Sequence, residues 1–250
     1  MIKKIGQNFL IDENIARREV EYADINSNDI VLEIGPGKGI LTNIIANRAK
    51  KVIAVELDTS LFYNLKKTCP DNVLLLNDDI LKIDLNDLPR FNKIVSNLPF
   101  QISSPVTFKI LKYNFSIGIF IYQKEFAQRL VANYGSKHYS RLSVNVFFKA
   151  NCQYLETISK YCFSPMPKVE SAIVKLVPRK NPPFKVYDEE FFYNFVKNLF
   201  NHKRKKIKTT VKQLYKIDRE KIPFSDNRVE DLSPEQIGYL SNILFNLLNE

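Results

Sequence analysis

Between Ile30 and Val177 the chain alternates short β-branched runs with longer amphipathic stretches, and this alternation restricts its fold more than any other feature. DIVLEIG, KVIAVELD, NVLLLNDDI and NKIVSNLPF read as strands, and SIGIFIYQ as a central strand. GILTNIIANRAK, SLFYNLKKTC, SPVTFKILKY and KEFAQRLVAN carry apolar residues at helical spacing, with Pro105 tolerated in a first turn. Strand and helix in alternation imply crossover units. The expected fold is therefore α/β, a mostly parallel sheet with helices on both faces.

Near Arg179 the pattern stops. RKNPPFKVYD holds paired prolines and marks a domain boundary. Beyond it, EEFFYNFVKNLFNHKRKKIKTTVKQLY and SPEQIGYLSNILFNLL read as helical, with Ser233 as N-cap and Pro234 in the first helical position. Phe191, Phe192 and Phe195, at helical spacing, suit that region's own core. Two domains are expected, residues 1–180 and a small helical one at 181–250.

With 250 residues and a 45% hydrophobic fraction, the chain can bury a substantial core. No apolar run approaches the roughly 18–20 residues of a membrane span, and MIKKIGQNFL has no signal-peptide pattern. Cys69, Cys152 and Cys162 are odd in number and lack metal-ligand spacing, so reduced thiols, no metal and a cytoplasmic setting are expected. The net charge of +10 favours a polyanionic partner, although a lysine-rich solvated surface would give the same figure.

At the first strand–helix junction, VLEIGPGKGILT places Gly35, Gly37 and Gly39 where the chain must turn sharply and a ligand can approach the backbone. A dinucleotide fingerprint would require glycine at position 40, which is Ile40. A merely tight turn would look the same. Two acids favour a ligand. Glu56 ends the second strand, where a carboxylate can accept both hydroxyls of a ribose. Asp79 ends the third, where an acid can accept from an adenine amine. Glycine turn, ribose acid and adenine acid describe a pocket for an adenosine without a pyrophosphate, which points to S-adenosyl-L-methionine rather than NAD.

The fourth strand ends in Asn97-Leu98-Pro99-Phe100, opening on the same crevice. Methylating an exocyclic amine is hard because the nitrogen lone pair is delocalised into the ring. Two acceptors, the Asn97 carboxamide oxygen and the Pro99 carbonyl, would hold both N–H bonds and favour a pyramidal nitrogen. Phe100 would stack on the extruded base.

The motifs GQNFL (Gly6–Leu10), EIGPGKG, VELD, NDDIL, NLPFQISSPV, QKEFAQRLV, YSRLSV and FSPMPKVESAIV stand in this order. So arranged, the chain resembles the KsgA/Dim1 family of ribosomal RNA adenine dimethyltransferases, and its short length would suit an archaeal member. FNHKRKKIKTTV and NRVEDLSPEQ resemble that family's helical domain. The resemblance implies a class I, Rossmann-like methyltransferase sheet of seven strands, the last antiparallel. It implies dimethylation of the N6 amines of two adjacent adenines near the 3′ end of small-subunit (16S-type) rRNA, with a role in small-subunit biogenesis. S-adenosyl-L-methionine would be the donor and S-adenosyl-L-homocysteine the product, and the enzyme would act as a monomer. Gln7, Asn8, Leu10, Gly35 and Gly37 would surround the methionine end. Glu56 with Leu57 would bind ribose, Asp79 with Ile80 the adenine, and Asn97 both cofactor and target. Phe163 of FSPMPKV would form a second aromatic wall opposite Phe100, although the same ring also suits a core position. Phe100 is a departure, since the family often has tyrosine there; stacking survives the change.

Between Lys197 and Lys221, ten lysines and arginines face two acids, Asp218 and Glu220. Within this stretch Lys203, Arg204, Lys205 and Lys206 are the expected phosphate contacts. Three other readings stay open: a resistance-type methylase of large-subunit rRNA, an adenine-N6 DNA methylase, and a catalytically silent assembly factor on the same fold.

Overall fold

The computed structural model describes residues 7–217 and 222–249. Gly6 of the first motif and the Asp218 to Lys221 end of the basic stretch therefore lie outside the described residues. β1 (Phe9–Leu10) and α1 (Glu13–Tyr22) come first. The expected alternation follows as β2 (Ile30–Ile34), α2 (Ile40–Ala46), β3 (Lys51–Glu56), α3 (Thr59–Lys66), β4 (Val73–Asn77), β5 (Lys93–Asn97), α4 (Ser103–Ile110), β6 (Ile117–Gln123) and α5 (Lys124–Leu130). Then come α6 (Arg141–Lys149), β7 (Ala150–Ile158), β8 (Phe163–Ser164) and β9 (Ser171–Pro178). α7 (Glu189–Asn201), α8 (Ile207–Tyr215) and α9 (Pro234–Asn249) are the last helices.

Seven strands form one sheet in the order β4-β3-β2-β5-β6-β9-β7. β4 through β6 pair in parallel, and β9 runs antiparallel to β6, with Gly118 opposite Leu176 and Gln123 opposite Ser171. This is the class I methyltransferase arrangement. Its central strands are covered on both faces, which is why Val31, Leu32, Ile53, Ile94 and Ile119 are apolar without alternation and wholly buried. The strand order reverses between β2 and β5, so a crevice opens at their C-terminal ends. There the Ser96 hydroxyl donates to the Ile34 carbonyl at 2.6 Å, tying the two strand ends together. At the opposite, N-terminal ends of these two strands the Lys93 ammonium meets the Asp29 carboxylate at 3.0 Å, both buried, and Asn92 donates to the same carboxylate at 2.6 Å.

Local chemistry sets the helix starts. The Asp12 carboxylate accepts from the Asn14 and Ile15 N–H groups at the head of α1, and Asp58 accepts from Ser60 and Leu61 at the head of α3. Ser233 and Gln236 exchange side-chain bonds to each other's N–H groups, a capping box before Pro234, as the sequence predicts.

Two features depart from the expectations. The helical run from Glu189 to Tyr215 is broken: α7 ends at Asn201, and α8 starts only at Ile207. Lys206 pairs instead with Arg228, and Ile207 N–H donates to the Asn227 carbonyl. The chain also divides into residues 1–127 with 152–178, and residues 128–151 with 179–250. The expected boundary at 180 is close to the last crossing, but the segment 128–151 belongs with the helices. The reason is packing: Tyr139, Val144 and Phe148 share one core with Phe192, Phe195, Val196 and Leu240. The Tyr139 hydroxyl donates to the Leu232 carbonyl at 3.0 Å within that core.

Candidate active site

A cavity sits at the C-terminal ends of β2, β3 and β5, with residues 7–10 on its remaining side. The glycine turn shapes its floor. Gly37 has φ +57, and a Cβ there would approach the Phe9 ring to 3.0 Å; Gly39 has φ +83, and a Cβ would strike Leu65 at 2.5 Å. Only glycine fits both the backbone angle and the space.

Glu56, 4% exposed, closes the end of β3. Its carboxylate accepts from Gly37 N–H at 3.0 Å and from Asp58 N–H at 2.8 Å, so the second strand's acid holds the glycine turn. Burial raises its pKa, against the pull of these two bonds. Glu33, at the end of β2, also lines the cavity and keeps one carboxyl oxygen buried without a partner. Burial raises this carboxyl to about 8. Thr42, in the first turn of α2, pulls the other way, while the charge on Glu56 adds to the rise. Deeper in the same core, Glu19 of α1 is wholly buried, and both its oxygens lack a partner. Burial first, then the charge on Glu33, holds it well above the usual carboxylate range.

Asn97 ends β5 and lines the cavity. Its amide nitrogen donates to the Asn8 carbonyl at 3.5 Å, a long bond that turns the carboxamide oxygen away from Asn8. Pro99 and Phe100 follow on the same wall. The Pro99 carbonyl accepts from Ile102 N–H at 3.0 Å, opening the short turn into α4. A carbonyl has two lone pairs, so one acceptor position on Pro99 remains.

The structure thus brings Gln7, Asn8, Leu10, Gly35, Gly37, Glu56, Asn97, Pro99 and Phe100 to one cavity. Asp79, Leu57 and Ile80 are not on its wall. Asp79 follows β4 and accepts from Leu81 N–H at 3.0 Å, Leu57 is exposed and Ile80 is buried. Phe163 also lies off this wall: its ring is 3% exposed and packs in the core with Leu10 and Ile15. The strand that carries it pairs with β1, placing Phe163 opposite Leu10 and Ser164 opposite Phe9. Phe9, Glu33 and Lys38 line the cavity without having been singled out for it, and the Lys38 ammonium lies 5.2 Å from the centre of the Phe9 ring. Phe9 stands inside the GQNFL motif, so a signal for it was present. The basic residues lie elsewhere. Lys203 pairs with Glu230 at 3.1 Å, Lys206 with Asp226 at 3.2 Å, and Lys205 bonds Gln213, while Arg204 is exposed.

Comparison with known proteins fits this geometry. A family model described as ribosomal RNA adenine dimethylase matches residues 2–246. A probable ribosomal RNA small subunit methyltransferase A from Methanococcus aeolicus is 43% identical, covering 99% of this chain and 98% of its own. One of the same description from Thermococcus sibiricus is 45% identical over 97% of this chain and 91% of its own. Among solved structures, a dimethyladenosine transferase from Plasmodium falciparum aligns with a TM-score of 0.80 and 28% identity, covering 96% of this chain and 98% of its own. The 23S rRNA methyltransferase ErmE aligns at 0.69 and 26%, covering 97% and 100%. The match spans the whole sheet, the glycine turn and the Asn97–Phe100 wall together, and the chain belongs to the ribosomal RNA adenine dimethylase family.

Proposed function

We propose that this chain is an S-adenosyl-L-methionine-dependent enzyme that dimethylates the N6 amines of two adjacent adenines near the 3′ end of small-subunit rRNA. The observation that carries this is the meeting of Glu56, the glycine turn and Asn97-Leu98-Pro99-Phe100 on one cavity. S-adenosyl-L-methionine, when bound, supplies a methyl group on a cationic sulfur. The cavity suits such a ligand, because the Glu33 carboxyl, one oxygen of which has no partner, lies in its lining and Gly37 leaves room that a side chain would fill. Gln7, Asn8, Leu10, Gly35 and Gly37 would hold the methionine end, Glu56 with Leu57 the ribose, and Asp79 with Ile80 the adenine.

Asn97 and Pro99 act on the target amine. Their two oxygens accept its two N–H groups, hold the nitrogen pyramidal and leave its lone pair directed across the cavity. Phe100 stacks on the base. Phe163, across the ribbon from Leu10, would serve as the second aromatic wall. No strong base is required, since the alkylated nitrogen is acidic and sheds its proton to water. After one transfer a single N–H remains, and stacking must hold the amine in line. The residues 128–151 and 179–250 form the RNA-binding part, with Lys203, Arg204, Lys205 and Lys206 as phosphate contacts. The enzyme works in the cytoplasm as a monomer on the small ribosomal subunit, during its assembly and away from membranes.

The test is transfer of labelled methyl to unmethylated small subunits, with large subunits and duplex DNA as controls. Dimethyladenosine confined to the small-subunit RNA is expected. Asn97→Ala should lower the rate by about 10²–10³, the scale of losing one aligned polar group, while RNA binding is kept. Near-original activity in that variant would refute the gripping role, and label in the large subunit would move the substrate to the resistance-type reading.

A further inference from the structure

β1 and β8 make a two-stranded ribbon outside the main sheet. Its inner residues, Leu10 and Phe163, are buried. On either side of them the ribbon exposes apolar groups: Ile11 is 54% exposed, Tyr161 73% and Met166 53%. The Ile11 N–H donates to the Cys162 carbonyl at 2.9 Å, so Tyr161 lies at the Ile11 end of the ribbon. At the other end Ser164 is opposite Phe9, which lines the cavity beside Asn8 and Asn97. From Phe9 to the Tyr161 end is about 10 Å of extended chain. At 73%, Tyr161 is the most exposed of the large hydrophobic side chains among the described residues.

Cations are interleaved with these groups. The Lys160 ammonium lies 5.6 Å from the centre of the Tyr161 ring, and the Lys38 ammonium 5.2 Å from that of Phe9. Lys168 is exposed beyond Met166. The neighbouring acids are engaged: Glu170 pairs with Lys124 at 2.8 Å, and Asp12 caps α1. Open aromatic faces with interleaved lysines are what single-stranded nucleic acid uses, bases stacking and phosphates meeting cations. The exposed core of a protein interface would instead be depleted of lysine.

We propose that the β1/β8 ribbon is the docking strip for the single-stranded RNA flanking the target adenine, with Tyr161 stacking on a flanking base and Lys160 and Lys168 meeting its phosphates. The proposal rests on the rRNA reading above and assigns that substrate a path out of the cavity. Tyr161 is a binding residue and takes no part in the transfer.

The test compares wild type, Tyr161→Ala and Tyr161→Phe. The dissociation constant for unmethylated small subunits is measured without methyl donor, S-adenosyl-L-methionine affinity by calorimetry, and self-association by sedimentation. Tyr161→Ala should weaken small-subunit binding on the order of tenfold, within the range for losing one stacked base, with donor affinity unchanged. Tyr161→Phe, which keeps the ring, should bind as wild type. Wild-type binding by Tyr161→Ala would overturn the proposal, as would a wild-type dimer that Tyr161→Ala dissociates, since the strip would then be a contact between copies. If wild type labels only large subunits or DNA, the functional reading fails, whereas normal small-subunit labelling with an indifferent Tyr161→Ala sinks the strip alone.

Discussion

Glu33 sits at the bottom of the site as a carboxylic acid rather than a carboxylate, because burial lifts it to about 8. Between the ordinary carboxylate value and 8, the unfolded chain is ionised here while the folded chain keeps its proton. Folding stability from this group therefore falls as pH rises across that window, and levels off above it. A cationic ligand beside the carboxyl has the opposite preference and favours ionisation. Donor binding should release a proton from Glu33, and affinity should rise with pH up to about 8. Glu56, Thr42, Glu19 and Cys69 are the other groups that act on this carboxyl or sense its charge. Calorimetry in buffers of different ionisation enthalpy measures the released proton directly. Glu33→Gln should abolish both the proton release and the pH dependence, and should weaken binding by roughly 1.5–3 kcal/mol, the scale of a hydrogen bond to a charged group. Unchanged proton release in that variant would place the titrating group elsewhere. Glu33 stands at the head of the EIGPGKG motif, so a signal for it was present, but its protonation was not legible, since it depends on burial that only the folded sheet creates.

At the scale of elements, strands and helices with a clear period were legible and short ones were not. The strands β2 to β6 stand out because short runs rich in Val, Ile and Leu, such as VIAV and VLLL, sit between amphipathic helices. β1 and β8 are two residues each and show no period. Their pairing brings together positions about 150 apart, which no local pattern encodes. The break between α7 and α8 was hidden for a related reason. KRKK is compatible with a helix, and only the Lys206–Arg228 bridge and the Asn227 bond to Ile207 pull the chain out of it. This break turns the basic run into an exposed turn, and its residues are not equivalent. Lys203 and Lys206 already face Glu230 and Asp226, pairs that at a surface contribute about 0–1 kcal/mol and that a phosphate can displace. Arg204 and Lys205 should then be the stronger phosphate contacts. Measured against salt, Arg204→Ala with Lys205→Ala should reduce the slope of log K by about 2, whereas Lys203→Ala with Lys206→Ala should change it less. Equal slopes for the two double variants would contradict this ranking.

For the whole molecule, the consequence lies in where the chain is divided. Composition placed one boundary near 180, since paired prolines and the end of strand alternation coincide there. The structure has three crossings, near 127, 151 and 178, because Tyr139 and α6 are built into the helical core rather than the sheet's. Linear patterning cannot reveal this: α6 lies between two strands of the first unit, and its apolar face reads the same whichever core it joins. A fragment ending at residue 180 would keep α6 and lose α7 and α9. Phe148, 1% exposed and packed on the Phe184 and Phe192 rings, would be uncovered together with Tyr139 and Val144. Uncovering three large side chains costs about 1.5–3 kcal/mol each and leaves an apolar patch prone to association. The fragment 1–180 should therefore aggregate or melt well below the full chain. A fragment that also replaces residues 128–151 with a short polar linker should stay monomeric and bind S-adenosyl-L-methionine, since the Glu33, Glu56 and Asn97 cavity is built entirely from the first unit. Sedimentation and thermal unfolding of the two fragments decide it. If 1–180 is the better behaved, the helical core does not depend on α6 and the division at 180 holds.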